Sequence, residues 1–240
     1  MKLFDVYPLM PVNILKAENC KLWDENGTEY LDFYGGHAVI SVGHSHPLYV
    51  QKITEQLNQI AFYSNSVINK LQEQLAEQLG KISGYDDYDL FLCNSGAEAN
   101  ENAFKIASFT SGKKKFITFK NSFHGRTSAS VAATDDPSII APVNETEHFI
   151  FCEFNDVKGF EQLFLENVQD LAGVIIEGIQ GIAGIQIPSK ELMEKIAELC
   201  SQNNVFFIAD EIQSGYARSG KFFAHQYFEV KPDIIRVAKG

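Results

Sequence analysis

Ser189-Lys-Glu-Leu-Met-Glu-Lys-Ile-Ala-Glu-Leu-Cys-Ser-Gln-Asn-Asn-Val-Phe-Phe-Ile-Ala-Asp210 sets an amphipathic stretch directly before a short apolar run. The pattern predicts a helix over 189–202 and a strand over 205–209. The same alternation recurs outward from it. Strands are expected at 89–93, 115–119, 148–152, 173–177 and 233–237, and helices at 48–62, 68–82, 97–109 and 156–167. Short apolar strands alternating with amphipathic helices indicate an α/β fold with a largely parallel sheet. Residues 1–35 read differently, as an extended Cys20–Trp23 run, a turn at Glu25-Asn26-Gly27 and a hairpin partner over Thr28–Phe33.

The chain has 240 residues, 45% of them hydrophobic, which is enough for one large core, with or without a small appendage. Its 20 basic and 31 acidic residues give a net charge of −11, which argues against broad nucleic-acid binding but leaves room for a local basic pocket. Cys20, Cys93, Cys152 and Cys200 are scattered without a C-x-x-C pair and read as reduced, mostly buried thiols of a cytoplasmic protein. No apolar run reaches membrane-span length, and Asp5, Pro8, Pro11 and Asn13 interrupt any leader-like pattern.

The chemistry-bearing residues follow the strands. In open α/β sheets, ligands bind beyond the carboxyl ends of the strands. Asp210 ends one apolar run, and Lys239 ends another 29 positions later. A strand-end acid and a strand-end lysine are what a pyridoxal phosphate site requires: the lysine forms a Schiff base with the aldehyde, and the acid keeps the pyridine nitrogen protonated. Asn94-Ser95-Gly96-Ala97 opens a helix, where free amides suit a phosphate; taken alone, the segment reads equally as an ordinary capped helix. Phe123-His124-Gly125-Arg126 offers a ring to stack on a planar cofactor and a guanidinium for a carboxylate; in isolation a packed loop with a surface arginine would explain it. Glu177-Gly-Ile-Gln-Gly181 suggests a tight turn near ligand. His44 and His46 could suggest a metal pair, but Gly43 and Pro47 beside them favour a structural turn, and no metal is expected. No G-x-G-x-x-G opens a first βα turn, which weakens a dinucleotide-binding reading.

Together, Asn94-Ser-Gly-Ala-Glu-Ala-Asn-Glu101, Phe123-His-Gly-Arg-Thr127, Asp210-Glu-Ile-Gln-Ser-Gly215 with Arg218-Ser-Gly220, and Pro232-Asp-Ile-Ile-Arg-Val-Ala-Lys-Gly240 resemble the class III, ornithine-type aminotransferases, nearest to their acetylornithine branch. The resemblance runs from about Tyr7 to Gly240. It implies a fold type I pyridoxal phosphate transferase. Residues 1–45 would be an N-terminal segment, part of the small domain and of the substrate site, and 46–240 the cofactor-binding large domain, incomplete at its C-terminal end. It implies Ser95, Gly96 and Ala97 for the phosphate, Phe123 on the ring, Asp210 on the ring nitrogen, Gln213 on the phenolic oxygen and Lys239 as the covalent anchor and proton carrier. His124, Glu211 and Ile212 belong to the implied cofactor set, and Arg126, Glu177 and His37 to the substrate set. The implied reaction moves the δ-amino group of N-acetylornithine or N-succinylornithine to 2-oxoglutarate in arginine biosynthesis. The implied assembly is a homodimer when full length, and the family's length implies that this chain is truncated. Ile182 departs from the family's usual glutamate and keeps ornithine or another ω-amino acid open as donor. A non-catalytic fragment is the rival from another class.

Overall fold

Leu171–Glu177 (β6) is buried along its whole length, and its side chains alternate between two different cores. Val174 and Ile176 pack on one side and Ile175 on the other, as the two-residue period of a strand requires; Leu171 and Ala172, before the register shift against Lys115–Phe116, take the opposite phase. A strand buried on both faces needs helices above and below it, and the chain supplies them.

The computed structural model describes residues 1–240, which divide into two units, Met1–Ile68 and Asn69–Gly240. In the first, Ile14–Glu18 (β1), Lys21–Asp24 (β2) and Glu29–Leu31 (β3) form an antiparallel sheet in the order β1-β2-β3. The Asp24 carboxylate accepts the Asn26 and Thr28 amides at 2.9 and 2.8 Å, closing the expected turn. Gly35–Ala38 (α1) is a single irregular turn, and Pro47–Gln59 (α2) is a helix with proline in its first turn.

The second unit begins with Lys70–Ser83 (α3), capped by Asn69 and ended by Gly84 in a left-handed conformation. Gly96–Ser111 (α4), Lys115–Phe119 (β4), Ser128–Ala132 (α5), Phe149–Cys152 (β5) and Val157–Asn167 (α6) follow. Beyond β6 come Lys190–Asn203 (α7), Phe206–Asp210 (β7) and Ile234–Arg236 (β8). The five strands of this sheet are all parallel, in the order β5-β4-β6-β7-β8. One face carries α6 and α7 over Phe119, Phe160, Phe164, Met193, Ile196 and Phe207. The other carries α4 through Ala103, Phe104 and Ala107 against Phe116, Ile175 and Ile208. Because the strands run the same way, their carboxyl ends open on one side.

Three expectations change. Cys152 and Cys200 are buried, but Cys20 and Cys93, which lie outside the two-sided core, are exposed. Asp89–Cys93 is not a strand: it has no ladder neighbour, and Phe91 is 66% exposed. An apolar run becomes a strand only when another backbone pairs with it. The α5 turn, in turn, lies inside what reads as a long loop from sequence. No helix is long and apolar enough to cross a membrane.

The two-sided core gives a stability contrast. Phe207→Ala, at a site 1% exposed, is expected to cost about 3–5 kcal/mol in denaturant unfolding. Leu165→Ala, on the same sheet face but 54% exposed on α6, is expected to change stability by about 0.5 kcal/mol or less.

Candidate active site

Asp210 ends β7 and is 3% exposed. Its Oδ2 accepts hydrogen bonds from His124 Nδ1 at 2.7 Å and Asn100 Nδ2 at 3.0 Å, and its Oδ1 accepts the Ile212 amide at 3.2 Å. Arg236 Nη2 lies 3.9 Å from the same Oδ2. Burial pushes this carboxyl up; the His124 hydrogen bond and charge, then Arg236 and Asn100, outweigh it and hold it below the usual range. Asp210 is therefore an ionised, fixed acid.

His124 reaches Asp210 because the loop after β4 is tied down. Its amide donates to Thr134 Oγ1 at 2.9 Å, and its carbonyl accepts from Asn100 Nδ2. Gly125 follows with φ +128°, where a β-carbon would come within 2.7 Å of Ala97 Cβ, so only glycine lets the loop lie on the start of α4. Phe123 is half-buried, and Arg126 is exposed at the loop's outer turn.

At the start of α4, Ser95 Oγ accepts the Glu98 amide at 3.2 Å, and Glu98 reaches back to the Asn94 amide at 2.8 Å. The Gly96 and Ala97 amides stand in the first turn, where a helix has no internal acceptor for them. A β-carbon on Gly96 would come within 2.9 Å of Ile212, which sets Ile212 directly against this helix end. Free amides at a helix start are an anion site.

Glu177 ends β6 and is 7% exposed. Its Oε1 accepts the Phe123 amide at 3.0 Å and its Oε2 the Gly181 amide at 3.4 Å, so it clasps the loops after β4 and β6. Burial, then the Asp210 charge, pushes it up to about 8 against the pull of those amides and of Lys239. Gln213 Oε1 lies against the Gly181 backbone. Lys239, half-buried just beyond β8, has its amine lowered by burial against the opposing charges of Asp210 and Glu177.

The second unit thus brings together Ser95, Gly96, Ala97, Phe123, His124, Arg126, Glu177, Asp210, Ile212, Gln213 and Lys239 along the carboxyl ends of its strands and the start of α4. Glu211 faces elsewhere: its carboxylate accepts from His225 Nδ1 and the His225 amide, both at 2.8 Å, and from Ser214 and Ala224. His37 belongs to the first unit, where its ring meets the Tyr34 hydroxyl. Asn100 and Arg236 had no role in the sequence reading. Arg236 could have been noticed as a charge inside an apolar strand, which needs a partner.

The family model for class-III aminotransferases matches residues 5–240. The acetylornithine aminotransferase of Bacillus subtilis is 41% identical over 99% of this chain and 61% of its own length. A protein of the same name from Bacillus amyloliquefaciens is 40% identical over 94% of this chain and 97% of its own. Among solved structures, the taurine:2-oxoglutarate aminotransferase of Bifidobacterium kashiwanohense, in complex with PLP and glutamate, superposes with a TM-score of 0.92 at 28% identity, over 100% of this chain and 59% of that one. The chain spans about three fifths of the length of the first curated relatives it matches.

Glu177 yields a pH prediction. A carboxyl raised from 4.5 to about 8 binds its proton more tightly folded than unfolded, so its contribution to stability falls as pH rises between those values. Thermal midpoints of the cofactor-free chain should show that decline, and Glu177→Gln should flatten it; an unchanged slope would refute the shift.

Proposed function

This chain belongs to the class-III aminotransferase family, and from that premise we propose that it carries the cofactor site of a pyridoxal 5'-phosphate transaminase of arginine biosynthesis. The donor is N-acetylornithine or N-succinylornithine, the acceptor 2-oxoglutarate. The working protein is a cytoplasmic homodimer; its dimeric state is supported by α2, none of whose residues is buried. The observation that carries the proposal is the meeting of an ionised, immobilised Asp210 and a half-buried Lys239 at neighbouring strand ends.

The residues fit the cofactor. Pyridoxal phosphate, when bound, supplies an aldehyde for covalent capture of amines and a ring that withdraws electrons. Asp210, kept ionised, is suited to hold a protonated ring nitrogen. The Gly96 and Ala97 amides, with Ser95 beside them, would hold the phosphate, and Phe123 would pack on the ring. Gln213 would donate to the phenolic oxygen, while His124 and Ile212 fix the walls around Asp210 and the helix start. Glu211 would contribute through its backbone, since its carboxylate is engaged with His225.

Lys239 is the anchor. Burial favours its neutral amine, the form that attacks a carbonyl and accepts a proton from substrate carbon. Arg126, at the crevice rim, would grip a substrate carboxylate with two parallel hydrogen bonds. Glu177 shapes the substrate side by holding the Phe123 and Gly181 backbones, and His37 is assigned to substrate contact. Ornithine or another ω-amino acid is kept as second donor because Ile182, 66% exposed at the loop after Glu177, brings no charge to that rim.

Adding pyridoxal phosphate to the purified chain should give a visible absorbance band that Lys239→Ala lacks; equal spectra would sink the anchor assignment. Bleaching of that band by N-acetylornithine, N-succinylornithine or ornithine ranks the donors, and a band that no donor bleaches favours a non-catalytic fragment. Arg126→Ala is expected to raise KM for carboxylate substrates by roughly 10- to 100-fold with cofactor binding unchanged. Loss of cofactor binding alone would contradict that role.

A further inference from the structure

Arg236 is 3% exposed, on the last strand of the sheet. Its α-carbon is in register with that of Asp210, so the two side chains stand on the same sheet face, the one covered by α4. Nearer the amino ends of the strands that face is apolar, with Phe116, Ile175 and Ile208, while Glu177 stands beside Asp210 at the carboxyl ends. The Arg236 backbone makes an ordinary ladder bond, its carbonyl accepting the Glu211 amide at 2.9 Å. Its side chain does not: Nε, Nη1 and Nη2 are all buried without a hydrogen-bond partner. What faces it is the Asp210 carboxylate, with Nη2 at 3.9 Å from Oδ2. A buried guanidinium is strongly disfavoured unless a charge compensates it. Burial lowers Arg236 to about 10, and Asp210 opposes that fall.

Asp210 is faced from every side. Glu177 approaches from β6, Arg236 from β8, His124 from the loop after β4 and Lys239 from beyond β8, while α4 presents the neutral Asn100. Two of its hydrogen bonds, from His124 and Asn100, already converge on Oδ2. Arg236 adds charge there without adding a hydrogen bond.

We propose that Arg236 is a positioning residue for Asp210: its guanidinium adds to the His124 contact in holding that carboxylate in the cofactor-free chain, and weakens the carboxylate's grip on the ring nitrogen of a bound cofactor. The second half rests on the reading of Asp210 as the ring-nitrogen partner. In the cofactor-free chain the guanidinium gives Asp210 a counter-charge beside the His124 hydrogen bond. Once a protonated ring nitrogen arrives, two cations share one carboxylate. The arginine therefore stabilises the empty site and moderates the filled one.

The test is a double-mutant cycle on the full 240-residue chain: wild type, Arg236→Met, Asp210→Asn and both together. Asp210 has a lowered folded pKa, so its contribution is present above the unfolded value and is lost as pH falls through the folded one. Arg236→Met should lift that folded pKa toward the unfolded one, so the Asp210-dependent acid-side loss of thermal midpoint shrinks and ends at higher pH; Arg236→Lys should restore the wild-type limb. In the Asp210→Asn background the midpoint cost of Arg236→Met should shrink to less than half. Equal costs in both backgrounds would show a packing role only and overturn the proposal. If Arg236→Met does not fold, a folded double variant shows the coupling in extreme form, and an unfolded one overturns it. Equilibrium dialysis with pyridoxal phosphate reads the second half. Arg236→Met should bind it about tenfold tighter, a gain absent when Asp210 is Asn; unchanged affinity overturns the second half. Wild-type affinity in Asp210→Asn alone would instead sink the ring-nitrogen reading and leave the ion pair standing.

Discussion

A carboxylate with 3% of its surface exposed must be surrounded by donors or countercharges, and those reaching Asp210 come from four separate stretches of chain. Asn100 comes from the second turn of α4, His124 from the loop after β4, the Ile212 amide from the turn after β7 and Arg236 from β8. None can move without loosening the others. Asn100 Nδ2 bonds both Asp210 and the His124 carbonyl, so the helix, the loop and the strand end meet at one amide group. The start of α4, where an anion would sit, is placed by the same contacts that fix the acid.

Asp210 and Glu211 are neighbours with opposite duties. Asp210 faces α4 and the crevice. Glu211, fully buried, accepts from His225 Nδ1, whose Nε2 meets the Tyr85 hydroxyl at 2.6 Å. Each Glu211 oxygen accepts two donors, from Ser214 and Ala224 on one and from the His225 amide and ring on the other, and burial, then Glu211, pushes the Tyr85 hydroxyl up to about 12. A fully satisfied buried network rigidifies what it joins. Here it joins the turn after α3 to the segment after β7, giving the strand end that carries Asp210 a fixed support from behind.

Much of this was legible in the sequence because it is local. β4 to β8 fall within two residues of the runs that announce them, and Ser95, Gly125 and Asp210 act through their own backbone neighbourhoods. What was not legible depends on pairing across the chain. Asp89–Cys93 has a strand's composition, yet composition does not create a ladder partner. Asn100 sits inside a recognised motif, but its double hydrogen bond exists only once β7 and the β4 loop converge. Glu177 reads as a residue near ligand, whereas its carboxylate is engaged by two amides from different loops. Glu211 reads as part of a site motif, and only the structure turns its side chain toward His225.

The two strand-end acids differ in what neighbours them rather than in kind. Both are pushed up by burial; Asp210 has an imidazole, a guanidinium and an amide that outweigh it, and its pKa falls, whereas Glu177 has a nearby anion that adds to it and only two backbone amides against it, and rises to about 8. Environments that push paired carboxylates apart assign them different protonation states at one pH. Near neutrality Lys239 therefore faces one firm negative charge, that of Asp210, with Glu177 largely protonated. Burial lowers the Lys239 amine even against the opposing charges of Asp210 and Glu177, and a protonated Glu177 removes one of those two charges. The loop-clasping role of Glu177 and the reactivity of Lys239 thus follow from the same burial: an acid forced to keep its proton can hold two loops together without fixing a charge beside the amine.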